Sequence, residues 1–228
     1  MVTILQIETA TQVCSAALSV NGETIALKEL AAQNIHAGSL TLFIREVMEQ
    51  ASIHYSDLDA IAVSKGPGSY TGLRIGVSTA KGICFAQDKP LLGIDTLQMM
   101  SKGFLDTQTS YTGLICPMID ARRMEVFTGL YDNQLTAIAA VQAKIIDEQS
   151  FQEELHHHQI TFIGDGAMKC SSSIVSSNAH FSATNFNSAS AMSSLAFEAF
   201  SAGNFEDVAY FEPYYLKDFV ITPPKKKV

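Results

Sequence analysis

The sequence predicts an α/β protein of two lobes, each grown from a β-β-β-α-β-α unit, with the second lobe reduced. Three observations carry this. Short apolar, β-branched runs recur in the same order in the two halves. Each half opens with a strand that ends on an acid, Glu8 or Asp120. Each then carries a hairpin signal, Asn21-Gly22 in the first and Asp132-Asn133-Gln134 in the second. Such residues accept positive φ and reverse the chain tightly.

The elements follow in order. Residues 2–7 read as a strand, and 14–20 and 24–30 flank the first turn. A helical pattern covers 37–51. Residues 60–64 are a strand, a glycine-rich stretch follows, and 70–85 fit a helix closed off before Pro90. Residues 91–94 form a short strand and 96–104 a short helix. The order then restarts: strands at 113–119, 125–131 and 135–141, a helix at 147–156 with Asp147 as its cap, and a strand at 160–163. Gly164-Asp165-Gly166 turns the chain, 171–177 is serine-rich and patternless, and 190–201 is a helix with Gly203 beyond its end. Two lobes of this kind make the actin/Hsp70/sugar-kinase (ASKHA) architecture. The expected divisions are 1–105, a smaller 106–206, and a tail, 207–228, returning to the first lobe.

Bulk properties narrow the function. The 228 residues carry 15 Lys and Arg against 23 Asp and Glu, a formal charge of −8. That surface repels a phosphate backbone, which argues against autonomous nucleic-acid binding. The basic run 225–227 reads as a solvated terminus. The start MVTILQIET has no basic leader and Glu8 interrupts it, so no signal peptide is expected. No apolar stretch is long enough to span a bilayer. Cys14, Cys84, Cys116 and Cys170 are far apart in sequence, so no Cys-x-x-Cys motif exists and a reduced cytoplasmic protein is expected.

The stretch KGPGSYTGLRIGVSTAKG, residues 65–82, looks like a phosphate loop but fails both fingerprints. No glycine pair is spaced for a Walker A motif, and position 71 is Thr where a dinucleotide loop needs glycine. On a helix, Gly72, Gly76 and Ala80 form a smooth ridge suited to close approach of a neighbour. Arg74 and Lys81 share one stripe. Apolar residues occupy the remainder, more than one buried face requires. The 37–51 helix is similar, with Leu40, Phe43, Ile44 and Val47 on its apolar stripe. A partner surface on the two helices is therefore expected, against the plainer reading of a generous internal core. On the first helix it would use Leu40, Phe43, Ile44 and Val47. On the second it would use Tyr70, Leu73, Arg74, Gly76, Val77 and Ala80.

Other candidates are weaker. His156-His157-His158 point about 100° apart on a helix and read as a polar helix end. His36, before the first helix, faces a partner or caps the helix, the cap being the plainer reading. Glu8, Thr9 and Thr11 form a candidate nucleotide-facing turn or a capped hairpin, and Gly164-Asp165-Gly166 a second candidate. Arg122-Arg123 reads as a surface pair or an interlobe contact.

IETAT at 7–11, KGPGSYTGLRIGVSTAKG, LLGIDTLQMM at 91–100 and EPYYLK at 212–217 together resemble the TsaB (YeaZ) family. The resemblance is close over the first hundred residues and then thins to 164–167 and 212–217. It implies an actin-like fold and a non-catalytic role beside a catalytic paralogue, TsaD, with a P-loop ATPase, TsaE. TsaD transfers threonylcarbamoyl to an adenosine beside the tRNA anticodon. The pairing surface in the family is made by the first two helices, which a free subunit uses to self-associate. Catalytic relatives carry two histidines four apart on a helix, where this chain has Thr96 and Met100, so no metal site is expected. No tightly bound cofactor is expected, only weak ATP or ADP at the lobe cleft or partner interface, and tRNA is met only through the complex. A nucleotide-dependent phosphotransferase or ATPase is the alternative on fold analogy. A metallohydrolase or protease is a third reading.

Overall fold

A computed structural model describes residues 1–32 and 36–217, with the side chains of 36 and 37 left aside. The run 225–227 and the capping role of His36 lie outside the described residues. Strands β1 (Thr3–Glu8), β2 (Val13–Val20) and β3 (Glu23–Ala31) form an antiparallel meander. β4 (Ala60–Gly66) and β5 (Leu91–Asp95) add in parallel, giving the order β3-β2-β1-β4-β5. The second sheet repeats this strand for strand. β6 (Leu114–Asp120), β7 (Glu125–Tyr131), β8 (Ala137–Ile145), β9 (Ile160–Ile163) and β10 (Ala179–Phe181) lie in the order β10-β9-β6-β7-β8. The two-lobed, duplicated α/β fold is thus present.

Three cores stack the molecule into layers. Outside the first sheet, α1 (His36–Ala51) and α2 (Tyr70–Gln87) cover Leu5, Ile7, Ile61 and Val63. Between the sheets, α3 (Thr96–Thr107) and α6 (Ser193–Ser201) fill the space, with Leu97, Met100 and Leu195 packed among residues of both sheets. Outside the second sheet lie α4 (Gln152–His157) and α5 (Ala167–Cys170). β1 is buried on both faces, which explains an apolar run where a one-sided strand would alternate. The second lobe is the reduced one: α4 and α5 have 6 and 4 residues, their counterparts α1 and α2 have 16 and 18.

The structure adds α5 and β10, which the sequence pattern does not mark, and departs from the expected elements in three further places. The helix expected over 147–156 begins only at Gln152. Asp147 instead closes a turn, accepting from the Gln149 amide at 3.1 Å and the Ser150 hydroxyl at 2.8 Å. Phe151 then takes φ +63°, buried with its ring 5.4 Å from that of Phe162, and this interrupts any longer helix. The strand expected at 135–141 is shifted to Ala137–Ile145, because Asp132 Oδ1 holds the Gln134 and Thr136 amides and draws Leu135 into the turn at φ +62°. The helix expected over 190–201 opens with a 3-10 turn, Ala189–Met192, before α6.

After α6 the chain crosses back to the first lobe. The Glu206 amide donates to Leu91 O at 2.9 Å and the Tyr214 amide to Lys65 O at 2.7 Å. Lys81 Nζ donates to Ala209 O and Phe211 O at 3.1 and 2.9 Å. Lys217 pairs with Glu125 on β7, so the segment touches both lobes.

The glycine ridge of α2 has its neighbour inside this chain, which corrects its assignment to a partner. A Cβ on Gly72 would stand 2.1 Å from Thr9 O, and one on Gly76 2.3 Å from Thr9 Oγ1. A Cβ on Gly68 would stand 2.5 Å from Ala10 O. The β1–β2 turn lies in the ridge, held by Thr9 Oγ1 donating to Gly72 O at 2.8 Å and the Ser69 amide donating to Ala10 O at 2.6 Å. Gly82, by contrast, has nothing within 4 Å of its would-be Cβ among the described residues. Gly72→Ala is therefore expected to lower stability by about 2 kcal/mol or more, since backbone must move. Gly82→Ala is expected to raise it by about 0.5–1 kcal/mol through helix propensity alone. Urea unfolding of the two variants checks the opposite signs.

Candidate functional site

Two surfaces concern function: the outer face of α1 and α2, and the cleft between the lobes. On the first, most of the expected partner residues belong to the lobe's own core. Leu40, Val47, Leu73, Gly76, Val77 and Ala80 are buried under the sheet's outer face. Periodicity finds an apolar stripe but cannot say whether a chain's own sheet or another molecule covers it. Phe43 and Tyr70 are half-buried, and Arg74 is exposed.

What remains outside is a different set. A groove of about 470 Å³ runs between the helices, lined by Thr41, Ile44, Tyr55, Thr79, Gly82 and Ile83 among others. Phe85 stands beyond it, 86% exposed in the last turns of α2. Ile44 is thus the one member of the expected set that floors this groove. Leu42 is also exposed, on α1. Phe85 and Gly82 were absent from the expected set, yet a sequence signal for Phe85 exists. At about 100° per residue it falls opposite Gly76, on the side of the helix that the close-packed ridge must turn outward.

The interlobe cleft, of about 570 Å³, is lined by Thr11, Gly68, Ser69, Asp120, Arg122 and Asp165 with apolar residues from both lobes. Of the candidate nucleotide-facing residues it brings together Thr11 and Asp165. Glu8 and Thr9 are fully buried, Gly164 packs against Met100 and Met118, and Gly166 packs against Ile119 and Val126; none of the four lines the cleft. Asp165 Oδ1 accepts from the Asp120 amide at 3.0 Å. Asp120 accepts from the Arg122 amide at 2.8 Å and pairs with Lys169, whose Nζ also donates to Glu125 O at 2.7 Å. Desolvation pushes Asp120 up, but Lys169 and the Arg122 amide outweigh it and hold the carboxyl below its usual range. Asp165 is pushed up, by desolvation first and then by the neighbouring Asp120 charge, against the pull of the Asp120 amide. Lys169 is thus committed to Asp120 and a carbonyl, and the charged groups lining the cleft among the described residues are Asp120, Asp165 and Arg122, with Arg122 already acting on the Asp120 carboxylate.

The family model described as "TsaD: tRNA N6-adenosine threonylcarbamoyltransferase" matches residues 29–224. The chain belongs to this family, within its TsaB/YeaZ group. It is 34% identical over 125 residues to the tRNA threonylcarbamoyladenosine biosynthesis protein TsaB of Haemophilus influenzae, covering 55% of this chain and 52% of that one. It is 30% identical over 156 residues to TsaB of Escherichia coli, covering 65% and 66%. The chain's matches thus span roughly half to two-thirds of these curated relatives. The solved structure of YeaZ from Pseudomonas aeruginosa superposes with a TM-score of 0.84 at 25% identity, covering 95% of this chain and all of that one.

In this TsaB/YeaZ chain Thr96 and Met100, which the resemblance sets at the histidine positions of catalytic relatives, are built into the interior. Thr96 is buried and its hydroxyl accepts from the Gly66 amide at 3.1 Å. Met100 is buried against Gly164. Neither a hydroxyl nor a thioether replaces imidazole on a hard or borderline divalent ion. Among the described residues no group of three or more His, Cys, Asp or Glu is placed to hold a metal. His156, His157 and His158 are exposed, with His156 and His157 ring to ring at 80°. Arg122 and Arg123 both take positive φ in the β6–β7 turn, and only Arg122 lines the cleft.

Glu8 is 0% exposed at the end of β1. Its Oε1 accepts from the Ala10 amide at 2.5 Å, while Oε2 and the neighbouring Ser64 hydroxyl lack well-formed bonds. Burial, opposed by the Ala10 amide and the Ser64 hydroxyl, raises its pKa from 4.5 to about 7. The folded chain therefore keeps this proton between those values while the unfolded chain releases it. Stability falls as pH rises through that window, by about 3 kcal/mol in all, and the deficit is complete above pH 7. Glu8→Gln is expected to remove that decline. Chemical unfolding at pH 5 and pH 8 checks it: the gain over wild type should be several-fold larger at pH 8.

Proposed function

We propose that this chain is a non-catalytic subunit of the machinery that forms threonylcarbamoyladenosine in tRNA. It acts in the cytoplasm and docks a TsaD-type catalytic paralogue through the outer face of α1 and α2. The observation that carries this is the groove beside Gly82 and Phe85. A glycine inside a helix costs about 1 kcal/mol relative to alanine, and among the described residues nothing occupies the space that Gly82 leaves. A large exposed ring and an apolar groove beside it are what a docking helix needs. Free of its partner, the chain would pair with a second copy through the same face. A TsaE-type ATPase joins the complex, and the partner supplies most phosphate contacts to tRNA, since this chain carries −8. The two carboxylates of the cleft support weak nucleotide binding at most.

The decisive experiment assays tRNA modification with this chain, the paralogue and the ATPase, omitting each in turn. Modification should stop without this chain, and this chain alone should show no activity. Gly82→Arg fills the groove from a site where nothing in the fold is displaced. It should lower co-elution with the paralogue and modification together by at least about tenfold, while thermal unfolding stays near wild type. Leu73→Glu, buried as it is, would unfold the lobe and test nothing. Calorimetry with Mg-ATP should give binding on the order of 1 mM or weaker, without turnover; tight binding with hydrolysis would revive the phosphotransferase reading.

A further inference from the structure

The outward stripe of α2 holds two charged groups outside the groove, Lys81, spent on the carbonyls of the returning segment, and Arg74. Arg74 is exposed, yet it is held from two sides. Its guanidinium carbon lies 4.3 Å from the centre of the Tyr70 ring, and its Nε donates to the Tyr215 hydroxyl at 3.1 Å. The two tyrosine rings are 4.9 Å apart, centre to centre. Tyr215 arrives on the segment that returns over α2, clamped by Lys81 at Ala209 and Phe211. Among the described residues no carboxylate lies within ion-pair distance of Arg74. Two hollows, of about 300 and 570 Å³, meet at Arg74 and Ser78. The smaller is walled by Val77, Phe211, Pro213 and Tyr215, with Glu212 beside them.

Ordering an exposed arginine sacrifices about 2 kcal/mol of rotamer freedom, and a solvated charge gains little from it. A guanidinium stacked on one tyrosine and bonded through Nε to another is held in place for a planar anion, although the Glu212 charge already acts on it. Val77, Phe211 and Pro213 would exclude water on one side of the pair and strengthen it, beside the polar Ser78, Lys81 and Glu212 that also line the hollow. On a chain of net charge −8, an acidic group of a partner is repelled generally and welcomed here, which sets register more than affinity.

We infer that Arg74, framed by Tyr70 and Tyr215, receives an Asp or Glu side chain of the TsaD-type partner, so that the returning C-terminal segment is a third element of the docking face. This rests on the docking reading above. Calorimetric titration of the paralogue into wild type, Arg74→Glu, Arg74→Lys and Gly82→Arg, at low and high salt, tests it. Arg74→Glu should weaken binding at least about tenfold and flatten its salt dependence. Arg74→Lys should recover only part, because an ammonium lacks the fork. Thermal unfolding should be unchanged in both. If Arg74→Glu binds like wild type while Gly82→Arg abolishes the complex, the carboxylate pocket is wrong and the docking face stands. If neither variant loses binding, the docking face itself is wrong. Loss of self-association alone would assign the pocket to a second copy. Loss of tRNA retention with the paralogue still bound would assign it to a phosphate. Either result overturns the inference.

Discussion

The close approach of the Thr9–Ala10 turn to α2 fixes the first lobe. Two hydrogen bonds join them, from the Thr9 hydroxyl to Gly72 O and from the Ser69 amide to Ala10 O, and three glycines make the distance attainable. With the helix locked there, its rotation about its own axis is set. Gly72, Gly76 and Ala80 face inward, so Arg74, Ser78 and Phe85 must face out. Both proposed docking features lie on that outward side. A packing decision between a turn and a helix thus determines which residues another protein can meet.

The duplication supplies two copies of one scaffold and spends them differently. In the first lobe, long outer helices cover their sheet and still present a groove. In the second, α4 and α5 are too short to offer such a face. The inner helices α3 and α6 share one core between the sheets, so neither lobe closes its apolar surface alone. The returning segment adds a further tie, since it bonds to β4, β5 and α2 and ends in an ion pair on β7. A docking face on such a frame is rigid, which lowers the ordering cost of association.

Much of the fold was legible because turn chemistry and strand order are local signals. Asn21-Gly22 and the acids at Glu8 and Asp120 mark the repeat without any long-range information. The start of the helix expected over 147–156 is not legible, because it depends on Phe151 packing on Phe162, a tertiary contact no local pattern encodes. The residues of the proposed docking face were less legible for a related reason. Leu73 and Val77 carry the period of a buried stripe whichever body buries them. The glycine ridge was correctly seen as room for close approach, but the occupant was a turn more than sixty residues away in sequence. Tyr215 could not be placed beside Arg74 from sequence at all, because a long crossing segment separates them.

The interior between the lobes bears on why the proposed role is one of binding. Glu8 ends its strand where an acid could serve chemistry, but it is sealed from the cleft and holds its proton to about pH 7. Thr96 secures the Gly66 amide, and Met100 fills the space against Gly164. Each of these positions serves packing, and recovering a reactive group at any of them would mean opening a core that both sheets share. Surface positions carry no such penalty. Substitutions at Gly82, Phe85 or Arg74 leave the three cores intact, so a chain built this way can change what it binds far more cheaply than what it catalyses.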